Sequence, residues 1–357
     1  MSTYLLAALR PQIPLSQIRT TPGSEPILTA LINDISSESD ATIRLALLRQ
    51  LSLLINKWLI SVSDDELLTS SSSLIPWNAL DHNMSDISGI GRLQESALLT
   101  IIYISKALIL RASPATSTLL PRLLSLLSHP QLGLPTARCL ALLLSPDPII
   151  SRDNHATIRL LHKQRLFTYC VPYLVSTFRT TADSVLKPNY LIALSGLLAN
   201  VPIELVLPHL DDLVPLLLQS LDLPSSAVKL ATIETLTVTI RETPAVLETH
   251  INSLIARLMR CAEGRTRDTP PVSFLASPRL LIDLTDVVIP EQRARLLALH
   301  CLALFPKCFR HELLRSQQRE VVKRLMSCLD DTKREVRKAG VDCRRGWEGL
   351  DDVIADI

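Results

Sequence analysis

Seven cysteines are the residues of this chain with the most chemistry available to them, since a thiolate can bind zinc, hold an iron-sulfur cluster or act as a nucleophile. They are Cys139, Cys170, Cys261, Cys301, Cys308, Cys328 and Cys343, scattered without any C-x-x-C pair. Ligation of zinc or a cluster normally shows closely spaced Cys or His. The nearest pair, Cys301 and Cys308, lies seven residues apart, on or just past one helix. An odd number of dispersed cysteines fits reduced core thiols better than a disulfide framework. No metal and no cofactor is expected.

Other near misses fail for physical reasons. His311-Glu312 lacks a second histidine one turn on, because position 315 is arginine, so no one-turn zinc pair forms. Gly89-Ile90-Gly91 lacks the third glycine, follows no strand and cannot cradle a dinucleotide pyrophosphate. His155 and His162 lie seven apart near one helix, a spacing that reads as polar surface rather than a ligand pair. No G-x-S-x-G elbow, Walker A loop or EF-hand pattern occurs. These absences argue against an enzyme.

The remaining chemistry is charge. With 37 basic and 35 acidic residues the net charge is +2, which gives no global field toward nucleic acid. Locally the balance shifts: Arg310 to Glu348 holds eleven Lys or Arg against seven Asp or Glu. At about 100° per residue, Val336, Ala339, Gly340, Cys343, Trp347 and Leu350 share one arc of a helix. Lys333, Arg334, Arg337, Lys338, Arg344 and Arg345 share the opposing arc. The first arc packs, which puts Trp347 in the core. The second is either a solvated face or a docking surface for an acidic partner. Thr332 with Glu335 forms a capping box at the helix start, where Asp330 and Asp331 suit the positive end of the helix dipole.

The element that displays this helix repeats along the chain. Ile43-Arg44-Leu45-Ala46, Val228-Lys229-Leu230-Ala231 and Val336-Arg337-Lys338-Ala339 share an apolar-basic-x-Ala signature. In the last two, Leu-Asp stands seven residues upstream of the apolar position, at Leu221-Asp222 and Leu329-Asp330. This is a HEAT-like helical hairpin, a unit of about 40 to 47 residues. Phasing on the basic position gives Arg44, Arg92, Pro135, Lys187, Lys229, Arg295 and Arg337, at intervals of 48, 43, 52, 42, 66 and 42. The long interval contains an insertion at 264–289. The expected fold is therefore all-α: a HEAT/armadillo-like superhelical solenoid of about seven imperfect hairpins, read as one domain over 1–357 with its N-terminal repeats in 1–91.

Composition agrees. Hydrophobic residues make up 47%, aromatics only 4%, and there are nine glycines, so the core is built from leucine and tight β-hairpins are disfavoured. The mean hydropathy of +0.26 raises the question of a membrane. A spanning helix needs about 20 mainly apolar residues with few charges. The best stretch, Leu98 to Leu110, contains Lys106, and the stretch after Lys187 contains Pro188, Asn189, Asn200 and Pro202, so both are expected to be buried core helices. Met1 to Arg10 has no basic region ahead of its apolar residues and makes a poor signal peptide, so an intracellular protein is expected. Ser61 to Ser73 reads as a loop around a short helix, and Glu263 to Val288, with Pro270-Pro271 and Pro278, as an unordered excursion or a partner contact.

Several strings together resemble one family. They are Ser105-Lys106-Ala107-Leu108-Ile109-Leu110-Arg111, Gln164-Arg165-Leu166-Phe167 with Val171-Pro172, and Val185-Leu186-Lys187-Pro188-Asn189-Tyr190-Leu191. To these is added Leu329-Asp330-Asp331 with Lys333-Arg334, Val336-Arg337-Lys338, Val341 and Trp347. From residue 92 onward the chain resembles the C-terminal region of the methyl-methanesulfonate-sensitivity family of HEAT adaptors, which serve the cytosolic iron-sulfur assembly (CIA) targeting complex in DNA repair and transcription. Residues 1–91 match only as a HEAT pattern, and the insertion has no counterpart. Family members carry a large N-terminal solenoid, so the resemblance implies a piece of a longer protein.

That resemblance implies a non-catalytic scaffold in cytoplasm and nucleus. Its partners would be a WD-repeat propeller, a small α/β protein with a reactive cysteine, and apo iron-sulfur clients such as DNA helicases and polymerases. No direct membrane contact is implied, and direct nucleic-acid binding is disfavoured. The six cations of the terminal helix are the candidate docking residues. Two other classes share the fold: a transport-receptor or phosphatase-regulatory scaffold, and a HEAT-type nucleic-acid binder whose affinity would fall steeply with salt.

Overall fold

In the computed structural model, the described residues are 27–58, 75–80, 91–263 and 290–350. The Ser61 to Ser73 loop and the 264–289 insertion lie outside them. Among the described residues the structure is α-helical, with 3₁₀ turns and no strand. Thirteen helices have eight or more residues: α1 Ile27–Ser37, α2 Ala41–Trp58, α3 Arg92–Arg111, α4 Thr116–Ser125, α5 Gly133–Leu140, α6 His162–Thr180, α7 Lys187–Leu198, α8 Leu210–Ser220, α9 Ser226–Glu242, α10 Ile251–Glu263, α11 Pro290–Leu302, α12 His311–Leu329 and α13 Arg334–Glu348.

All seven phase positions fall within the first six residues of a helix: Arg44 in α2, Arg92 in α3, Pro135 in α5, Lys187 in α7, Lys229 in α9, Arg295 in α11 and Arg337 in α13. From α8 onward these are the later helices of the packed pairs α8–α9, α10–α11 and α12–α13. Three helices that precede a phase-bearing helix share an internal proline, Pro121 of α4, Pro172 of α6 and Pro215 of α8. Each removes a backbone donor from the helix ladder and favours a bend there.

The chain divides into two compact units, 1–173 with 183–193, and 174–182 with 194–357. In the second unit, α8 packs on α9, α10 on α11 and α12 on α13. First helices also touch first helices, α8 to α10 to α12, and second helices touch second, α9 to α11 to α13. Two helical layers result, and each hairpin is buried by its neighbours, which is how a solenoid builds its core. Leu213, Leu217, Leu236, Leu254, Leu258 and Leu299 are fully buried between the layers.

The first unit is centred on α3, which packs on α1, α2, α4 and α5. Contrary to expectation from its Lys106, this helix is long and apolar enough to cross a membrane; 89% of its apolar window is buried inside the fold, so the expected buried core helix is what the structure contains. Within it Thr100 Oγ1 donates to Ser96 O at 2.7 Å and Ser105 Oγ to Ile101 O at 2.6 Å, while the buried Ser96 Oγ is left without a partner among the described residues. Lys106 is only 3% exposed. Its Nζ donates to Ser145 O at 2.8 Å, and Asp147 nearby pairs with Arg49 at 3.1 Å. Burial lowers the Lys106 ammonium to about 8, opposed by the pull of Asp147.

A compact loop between α5 and α6 closes this unit. Asn56 of α2 is fully buried and ties the loop down, its Oδ1 accepting Thr157 N at 2.6 Å and its Nδ2 donating to Thr157 O at 3.1 Å. The backbone of Arg159 then donates to Leu110 O at the end of α3, at 2.8 Å.

Candidate partner-docking face

The terminal helix α13 starts differently from the sequence expectation. Its first helical residue is Arg334 and its N-cap is Lys333, with no side-chain cap. Thr332 and Glu335 therefore do not form the expected capping box. Asp331 replaces it: its Oδ1 accepts Lys333 N at 2.8 Å, because a carboxylate two residues back closes an Asx turn over the helix entrance. The same carboxylate holds the preceding unit, with its Oδ2 2.9 Å from Arg295 Nε of α11.

The apolar arc is the packed one. Val336, Cys343 and Trp347 are 0% exposed, and Ala339, Gly340 and Leu350 are buried with them. At Gly340 an added Cβ would lie 3.4 Å from Cys328 Cβ and Leu329 Cδ2, so α12 and α13 meet there backbone to side chain. Trp347 reaches across to α11, its Nε1 donating to Leu302 O at 3.0 Å. Its own carbonyl accepts Gln318 Nε2 of α12 at 3.0 Å.

The six cations divide into two sets. Arg337 and Arg344 are half-buried and engaged within the protein. Arg337 Nη1 donates to Asp331 O at 2.7 Å and Thr332 O at 3.2 Å, bracing the turn. Arg344 Nε donates to Glu348 Oε1 at 2.6 Å, and its guanidinium lies against Met326. Lys333, Arg334, Lys338 and Arg345 are exposed, and none forms an ion pair among the described residues. Lys333 and Arg334 stand at the positive end of the helix dipole, where a cation is unfavourable by about 0.3–1 kcal/mol. Helix stability does not account for them. Beside this arc, Arg319, Val322, Lys323, Met326, Arg344 and Glu348 line an open groove of about 350 Å³, with Met326 49% exposed.

The thiols are set up for packing. Six of the seven cysteines are buried and Cys308 is half-buried. Burial pushes Cys139, Cys170, Cys301 and Cys343 up to about 12, and raises Cys261 and Cys328. They are thiols, not thiolates, at neutral pH, and poor nucleophiles or ligands. Cys301 lies in α11 and Cys308 in the short helix Phe305–Cys308. Among the described residues no group of three or more His, Cys, Asp or Glu is placed to hold a metal. His311 Nε2 faces Pro306 O at 3.3 Å. His155 and His162 do not share a helix: His155 sits in the loop at φ 59°, while His162 opens α6. Gly91 is the N-cap of α3, its N–H donating to Gln94 Oε1 at 3.3 Å.

One surface was not foreseen. Leu160 and Leu161 are 76% and 63% exposed, and Leu161 has φ 63°, a left-handed conformation that costs a side-chain-bearing residue about 1–2 kcal/mol. In sequence Leu160 is in helical phase with Phe167 and reads as part of the α6 stripe. The chain reverses at Leu161 before the helix begins, and that reversal turns both leucines outward.

Stacked two-layer hairpins with a cation-bearing terminal helix place this chain in the class of all-α solenoid proteins. A family model described as the C-terminal region of an RNAPII transcription regulator, MMS19_C, matches residues 1–306, ending before α12. The chain belongs to this MMS19 C-terminal family. It is 36% identical over 252 residues to the MMS19 nucleotide excision repair protein homolog of Xenopus tropicalis, covering 70% of this chain and 22% of that protein. The Homo sapiens homolog is 33% identical over 72% of this chain and 23% of its own length. The DNA repair/transcription protein mms19 of Schizosaccharomyces pombe is 29% identical over 90% of this chain and 29% of its own. The chain thus spans less than a third of the length of each of these three relatives.

Proposed function

We propose that this chain is a non-catalytic HEAT-type scaffold of the CIA targeting complex, bridging the assembly machinery to apo iron-sulfur proteins of DNA replication, repair and transcription in cytoplasm and nucleus. The observation that carries the reading is family membership, with relatives named for DNA repair and transcription. A stack of hairpins offers extended surface without chemistry of its own, and the protonated core thiols leave cluster chemistry to partners. On this reading the WD-repeat propeller and the small α/β subunit dock on the terminal helix. Lys333, Arg334, Lys338 and Arg345 supply the exposed charge, while Arg337 and Arg344 shape the surface from within.

The test is co-purification of the full chain with those two subunits, comparing wild type with the double variant Lys338→Glu/Arg345→Glu. Both side chains are exposed, so stability should change by no more than about 0.5 kcal/mol. Loss of the complex at physiological salt supports the docking assignment. Survival of the complex in the variant removes the assignment, and failure of the wild type to form one removes the adaptor reading for this chain.

A further inference from the structure

The α5–α6 loop carries a second surface, far along the sequence from the terminal helix. Between residues 151 and 165 stand Arg152, Arg159, Lys163 and Arg165 against one acid, Asp153. Arg152, Arg159 and Arg165 are exposed, and none forms an ion pair among the described residues. Burial lowers both Arg111 and His162, and nearby cations add to it, Arg159 at Arg111 and Lys163 with Arg152 at His162. Amid them Leu160 and Leu161 project into solvent from a backbone held by the Asn56 clamp and by Arg159 N–H to Leu110 O. His162 Nδ1, 2.9 Å from Arg159 O, holds the same corner.

Neither packing nor backbone geometry explains these leucines. A glycine at 161 would adopt the left-handed conformation without a clash, and a polar residue at 160 would suit the solvent. An ordered backbone that displays two apolar side chains beside the unpaired Arg152, Arg159 and Arg165 has the form of a recognition surface.

We infer that Leu160 and Leu161, with Arg152, Arg159 and Arg165, form a docking site for an extended acidic segment of a partner protein, one whose carboxylates alternate with apolar side chains. The carboxylates pair with the three guanidiniums, and the apolar side chains cover the two leucines. Phosphate-backbone ligands satisfy only half of this surface, because they leave the leucines wet. The site lies wholly within the first unit. It therefore stands apart from the terminal-helix reading and survives or fails without it.

The probe is a fluorescein-labelled peptide of alternating Glu and Leu, followed by fluorescence anisotropy on the full chain at physiological salt. A counterpart with Gln for Glu, a single-stranded oligonucleotide and vesicles of phosphatidylserine in phosphatidylcholine serve as competitors. The Glu-Leu peptide should bind, and binding should weaken about tenfold in Arg152→Glu/Arg159→Glu. Leu161→Gly should weaken it similarly while its melting temperature stays level or rises, since glycine suits the backbone; that separates lost recognition from lost fold. Equal affinity across the variants, equal affinity for the Gln peptide, or preference for the oligonucleotide or the vesicles would each overturn the site.

Discussion

Arg295 and Asp331 join consecutive hairpins through one ion pair, Nε to Oδ2 at 2.9 Å, with side chains only 17% and 13% exposed. Asp331 also accepts the N–H of Lys333, so the carboxylate that ties α13 to α11 also starts α13. Asp331→Ala should lower stability by about 2–4 kcal/mol, because it leaves a largely buried guanidinium unpaired and opens the helix entrance. Asp331→Asn keeps an acceptor for Lys333 and should cost less. Urea unfolding of the two variants with Arg295→Ala, as a double-mutant cycle, should give a coupling of about 0.5–3 kcal/mol; a coupling near zero would make the pair incidental.

Trp347 is the seal of the terminal unit. Trp347→Ala should cost about 3–5 kcal/mol through the cavity it opens against Phe305. Trp347→Phe keeps most of the volume and leaves Leu302 O without its donor, a cost of about 1–3 kcal/mol. Denaturation midpoints that rank the two the other way would contradict the packing described.

The buried Lys106 predicts a pH dependence of definite sign. Its ammonium falls from 10.5 unfolded to about 8 folded, so between those values the unfolded chain binds more protons and stability attributable to this group rises with pH. The rise is at most about 1.4 kcal/mol per pH unit. The raised thiols act oppositely above pH 9, where the unfolded chain loses its thiol protons first. The measurement is therefore the difference in stability between wild type and Lys106→Met from pH 7 to 10.5. That difference should be flat below about 8 and move in favour of wild type above it. A flat difference throughout would mean that Lys106 is solvated.

Thiol labelling distinguishes packing cysteines from reactive ones. Of seven thiols six are buried, so native protein treated with a disulfide reagent should release about one fast equivalent, assigned to Cys308 and lost in Cys308→Ser. Several fast equivalents would show that the hairpins open on the labelling timescale.

The sequence made the repeats legible because a solenoid writes the same packing requirement again and again. Each phase position fell near the start of a helix, even at Pro135 and Lys187, where the full signature is missing. The arc of Val336, Ala339, Gly340, Cys343 and Trp347 was readable for the same reason, as helical spacing alone decides which residues share a face. What escaped was set by contacts across tens of residues. Asp331 displaced Thr332 as the cap because Arg295, 36 positions upstream, also positions its carboxylate. Arg337 and Arg344 looked equivalent to their neighbours until the turn and Met326 engaged them. Leu160 and Leu161 were hidden by a single backbone reversal, which no periodicity records.

The apolar length of α3 bears on how the protein is made. Part of its cover, from α4 and α5, lies downstream, while α1 and α2 precede it, so a ribosome finishes Arg111 before the helix is fully enclosed. At roughly 5–20 residues per second, α3 waits on the order of 2 to 6 seconds with part of its apolar surface uncovered. The finished fold is a form of concealment. Any lesion that loosens α2 or α5 uncovers, in a mature chain, apolar surface that the fold otherwise hides.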